Sequence, residues 1–167
     1  MALVTLLSVA IAGATAQTYS ASQLHPGEVP EVYGDPEFKA TVQAALDYLR
    51  LNYPGDYDNV TFWLSEVRPT DTYTRVNSYG ICYLNAADCG NYFWTAGVLI
   101  HEAQHVQDDG TYFIEHPYTA DESELRALTV QAAYLASING WTDDQESEWV
   151  DGWFARRYWE TIPGKYE

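Results

Sequence analysis

Basic residues are scarce in this chain. Eight Lys and Arg stand against 24 Asp and Glu, and the formal net charge is −16 over 167 residues. Only Arg156-Arg157 places two cations side by side. Nucleic acid and anionic membrane are therefore excluded as electrostatic partners, and the excess acid is read as solubility. Long apolar runs are missing too. Residues 1–16, MALVTLLSVAIAGATA, are uncharged and mostly apolar, but fall short of the roughly 20 residues a membrane-spanning helix needs. Their Ala14-Thr15-Ala16 ending reads as a secretory signal peptide cut before Gln17, although the usual cation of the n-region is lacking. The expected destination is extracellular.

Cysteine is nearly absent, which rules out a disulfide-stapled scaffold. Cys82 and Cys89 suit one disulfide across a short loop in an oxidising compartment, with two free core thiols as the alternative. Asn59-Val60-Thr61 is a glycosylation sequon in a turn-like neighbourhood near Asp56 and Asp58. No internal repeat or low-complexity tract interrupts the chain. The expected organisation is a signal peptide (1–16), an extended leader or short pro-segment (17–34) and a single domain (35–167), acting as a monomer.

Asp35-Pro36 places a capping residue before a proline at the first helical position, and Phe38, Val42, Leu46 and Leu49 follow at helical spacing. A helix over 36–52 is predicted, ended by Asn52-Tyr53-Pro54-Gly55. Val60 to Val67 alternates and is rich in β-formers, which predicts a strand, followed by a turn at Arg68-Pro69-Thr70-Asp71. Tyr73 to Val76 and Tyr79 to Leu84 read as strands around an Asn77-Ser78 turn, and 86–90 as a loop. Tyr92 to Val106 is predicted as a helix buried nearly all round, stopped by Asp108-Asp109-Gly110. A long helix over Glu122 to Ser137 follows, capped by Asp121 and closed by Asn139-Gly140. Thr142 with Gln145 forms a capping box opening a last helix to about Trp159. In it Trp149, Trp153 and Tyr158 recur at packing intervals.

Histidine is also rare, with four in the chain, and two of them fall in His101-Glu102-Ala103-Gln104-His105. On a helix, residues four apart share a face, so both imidazoles can grip one metal ion. Glu102 lies beside it and can take a proton from water bound there. A catalytic zinc usually takes three protein ligands and leaves one position open. A third histidine six residues after His105 would stand at 111, with glycine at 108, but Thr111 and Asp108 occupy those places. The third ligand is then a carboxylate from the following helix: Asp121, Glu122 or Glu124. Glu124 is preferred, because Ala127 one turn on allows close helix approach, and Glu122 is the runner-up. First-turn acids also favour the helix dipole without binding anything. Arg126 is expected to pair with Glu122 four residues earlier. His116, Tyr112 and Tyr118 are candidate donors to a developing oxyanion, weighed against plain surface or packing roles.

On these residues the chain resembles the zincin zinc metallopeptidases, in the gluzincin-like branch with a downstream glutamate ligand. The resemblance covers about thirty residues. It implies His101, His105 and Glu124 as zinc ligands and Glu102 as general base. It also implies an α+β fold with a small twisted sheet over the motif helix, and an edge strand, here Tyr79 to Leu84, that aligns a peptide substrate. The chain departs from the pattern in two places. Gln107 stands where an apolar residue is common, and no Asp lies four residues after Glu124, which leaves Asp109 or Asp121 as a histidine's carboxylate partner. The expected function is a secreted zinc-dependent peptidase acting on peptides or proteins. The alternative is a secreted, non-catalytic zinc-binding or ligand-binding protein that uses its aromatic side chains for stacking.

Overall fold

A computed structural model describes residues 28–111, 118–157 and 160. The expected signal peptide, residues 17–27, Tyr112, His116, Tyr158 and Trp159 lie outside them. The described residues form an α+β fold of five helices and a four-stranded mixed sheet.

Helix α1 (Pro36–Asn52) starts as expected, with the Asp35 carboxylate accepting a hydrogen bond from Phe38 N at 2.9 Å and Pro36 in the first turn. Its apolar stripe, Phe38, Val42, Ala45, Leu46 and Leu49, is buried. Pro54 does not simply end that helix; it opens α2 (Pro54–Trp63). The strand expected from Val60 is thus helical through Trp63. Val60 and Thr61 are 0 % and 3 % exposed, and their burial outweighs a β preference that always depended on context. The Asn59 sequon accordingly sits in a helix rather than a turn, and the Thr61 hydroxyl donates to Asp58 O.

Strand β1 (Glu31–Val32) lies at the end of the segment read as a leader and pairs with β2 (Glu66–Thr70). β2 therefore runs through Arg68-Pro69-Thr70, where a turn was expected. β1 covers only Glu66 and Val67, so Pro69 lies where β2 has an open side, the place a strand tolerates proline. β3 (Arg75–Val76) and β4 (Ile81–Asn85) complete the sheet in the order β1-β2-β4-β3, the first three parallel and β3 antiparallel. β4, expected to be a substrate-aligning edge, is internal. Gly80 enters it at φ +75°, and a Cβ there would collide with Trp63 O.

β4 alternates, with Cys82 and Leu84 fully buried. Both cysteines are free, contrary to the expected disulfide. Cys82 points into the core, while Cys89 ends a turn of 3-10 helix (Ala86–Cys89), its Sγ donating to Asn85 O. Burial pushes both thiols up, Cys89 to about 11.

Helix α3 (Tyr92–Thr111) runs through the core, and every residue from 95 to 106 is buried. It continues past Asp108, where a stop was expected. The Asp108 carboxylate is held within the fold by Gln104 Nε2 (2.6 Å) and Arg126 Nε (3.0 Å) instead of breaking the helix. α4 (Ala120–Asn139) is capped by Thr119, not Asp121, in a reciprocal box with Glu122, and closed by Gly140 at φ +67°. α5 (Asp143–Phe154) has the expected Thr142–Gln145 box. It ends earlier than expected, because three-residue hydrogen bonds tighten its last turn and Arg157 takes φ +43°. Among the described residues no helix is long and apolar enough to cross a membrane.

Candidate metal centre

The buried helix α3 carries His101 and His105 one turn apart, 4 % and 6 % exposed, with their Nε2 atoms 3.1 Å from each other. α4 brings Glu124, fully buried, against both. Its Oε2 lies 3.5 Å from His101 Nε2 and its Oε1 3.6 Å from His105 Nε2. Bonds of about 2.0–2.1 Å to a tetrahedral ion would place ligand atoms roughly 3.3 Å apart. The three observed separations bracket that value. This buried group of two imidazoles and a carboxylate can hold a metal ion.

Local structure decides which carboxylate arrives. Glu122 accepts from Thr119 N and Oγ1 at 2.8 and 2.9 Å, and those bonds pull its carboxyl below the ordinary range. Asp121 takes Arg157 at 2.6 Å. Glu124, one residue beyond Ser123, is thereby the acid turned inward, and fully buried Ala127 permits the close approach of α4 to α3.

The partner of His105 is a hydroxyl rather than a carboxylate: Nδ1 lies 2.9 Å from Ser123 Oγ. Neither Asp109 nor Asp121 takes the expected place. His101 Nδ1 is buried without a hydrogen-bond partner among the described residues. Arg126 pairs with Asp108, not Glu122, and lies over the exposed Tyr118 ring. The guanidinium and the Gln104 amide oppose the effect of burial, which raises the Asp108 carboxyl.

Beside the triad lies a cavity of about 250 Å³ that reaches His101 and Glu102. Val98, Leu128, Trp94, Trp149 and Trp153 form much of its wall. Tyr73 and Thr74, leading into β3, border it together with Asn85, the last residue of β4. Glu102 is 3 % exposed and close enough to Cys82 to raise its thiol further. Ser123, Gln131 and the tryptophans of α5 escaped the sequence reading as parts of this region. A hydroxyl can orient a histidine as a carboxylate does, and Ser123 adjoins Glu124 in the sequence. Gln131 carried a usable signal: it lies seven residues after Glu124, two turns along the same helix face. No known protein family, curated protein or solved structure matches the chain.

Proposed function

We propose that this chain is a secreted zinc metallopeptidase of zincin-like fold, with His101, His105 and Glu124 as ligands and Glu102 as general base. The observation that carries the reading is the triad itself, three buried donors at near-tetrahedral separations, with Glu102 and His101 sharing a cavity. Two histidines and a carboxylate are a ligand set used by catalytic zinc, with a fourth position left for water or substrate. When bound, zinc acidifies water to a pKa of about 7 and polarises a carbonyl.

The chain's own residues do the rest. Ser123 holds the His105 ring in orientation. Glu102 accepts a proton from the attacking water on its carboxylate and delivers it to the departing amine, so that one C–N bond is replaced by a C–O bond. The buried surroundings of α3 keep these groups rigid and largely dry.

The test is metal content and peptide hydrolysis measured together on four purified proteins. Wild type should hold about one zinc per chain and cleave peptides. His101→Ala and Glu124→Ala should lose both properties. Glu102→Gln should keep zinc and lose activity by a factor of about 10² or more. Zinc unaffected by the ligand substitutions would sink the metal site, and full turnover by Glu102→Gln would sink the base assignment.

A further inference from the structure

The cavity beside Glu102 has a polar group that the metal chemistry does not use. Gln131 is 5 % exposed and lines the cavity, and its side chain makes no hydrogen bond among the described residues. The amide is not among the fully enclosed side-chain atoms that lack a hydrogen bond, so it opens onto the cavity, where water or a ligand satisfies it. Along α4, seven residues at about 1.5 Å each set Gln131 roughly 10 Å from Glu124. That is too far to touch a carbonyl at the metal site, but within reach of a long side chain extending from it.

The surrounding surface narrows the chemistry. Trp94, Trp149 and Trp153 are mutual neighbours, with ring centroids 5.8–6.4 Å apart, and form a continuous indole wall completed by Val98 and Leu128. Trp153 already carries a cation of the chain itself, the Arg156 guanidinium 4.5 Å from its ring centroid. Asp88 also lines the cavity, but its carboxylate already accepts the Thr74 hydroxyl at 2.5 Å. A cavity of about 250 Å³ is smaller than the several hundred Å³ of a typical drug-sized pocket and suits one large side chain.

We propose that this cavity, on the metallopeptidase reading above, receives a substrate side chain that is aromatic with a hydrogen-bonding tip, tyrosine above all. Its ring lies against the indole wall and its hydroxyl meets the Gln131 amide. An aliphatic or phenylalanine side chain would fill the space but leave Gln131 unsatisfied. Discrimination would therefore rest on the polar tip.

The experiment uses the metal-loaded protein and peptides that differ at a single residue, Tyr, Phe, Leu, Lys or Ala, placed in turn on each side of the cleaved bond. Tyrosine should give the highest kcat/KM on one side, about tenfold over phenylalanine, the order of one net hydrogen bond. Gln131→Leu should bring that ratio close to one. Its thermal midpoint should stay close to that of wild type, because leucine nearly keeps the side-chain volume and no hydrogen bond within the described residues is lost. A second readout is tryptophan fluorescence of Glu102→Gln titrated with N-acetyltyrosinamide and N-acetylphenylalaninamide. Saturable quenching, tighter for the tyrosine compound and weakened by Gln131→Leu, supports the pocket. Preference for lysine or alanine, or a Tyr:Phe ratio indifferent to Gln131→Leu, overturns the pocket while leaving the peptidase standing. Tyrosine-selective quenching by a protein that cleaves no peptide supports the pocket and overturns the peptidase.

Discussion

Ser123 shows how much a single hydroxyl decides. It stands between the two acids that competed for the inward position, and its Oγ lies 2.9 Å from His105 Nδ1. That contact fixes the ring so that Nε2 faces Glu124, the role outer partners of metal-bound histidines play. Ser123→Ala should lower zinc affinity about 10- to 100-fold, measured by competition with a coloured chelator, while the helical circular dichroism stays unchanged. An unaltered affinity would show that packing alone orients the ring. At this scale His101, Glu102 and His105 were legible from spacing, because a helix turn is local. The choice of Glu124 over Glu122 was legible only in part. The Thr119-x-x-Glu122 spacing is a capping-box pattern that commits Glu122 elsewhere, whereas the expected cap was Asp121.

Elements with strong local punctuation follow the sequence closely. α1 has Asp35 and Pro36, α5 has Thr142 and Gln145, and both begin where these residues say. α2 is the opposite case. It has no side-chain cap, and its last turn is Val60-Thr61-Phe62-Trp63, a run of β-formers. It is helical because Pro54 starts it and the core takes up Val60. The passage from α2 to the sheet then depends on Gly80, whose carbonyl accepts from Ser65 N at 2.9 Å and whose α-carbon faces Trp63 O. Gly80→Ala should destabilise the fold by about 2 kcal/mol or more, combining a left-handed backbone with a backbone clash. Gly152→Ala, in α5 with open space around it, should instead stabilise by about 0.5–1 kcal/mol. Urea unfolding of the two variants tests the pair. Equal effects would mean that neither site is constrained as described.

The whole molecule concentrates polar groups at the centre of its core, where His101, Glu102, His105 and Glu124 are all at least 94 % buried. Such a cluster is costly unless a bound ion offsets its desolvation. Chelation should therefore lower the thermal midpoint, by an amount on the order of 10 °C if zinc is present at 100 times its Kd. Added zinc should restore it, and Glu124→Ala should melt alike with and without chelator. A midpoint indifferent to chelation in wild type would remove the case for a metal. By itself the sequence determined what is periodic or short-range: the buried stripe of α1, the all-round burial of α3, the N-terminal caps of α1 and α5, and two imidazoles on one face. These follow from intervals of three or four residues and need no distant partner. The tertiary structure alone decided the helical fate of 54–63, the internal place of β4, the free thiols, the meeting of Glu124 with both histidines, and the cavity with Gln131 in its wall. Each of those depends on residues far apart in the chain competing for the same buried space, and packing rather than local preference settles that competition.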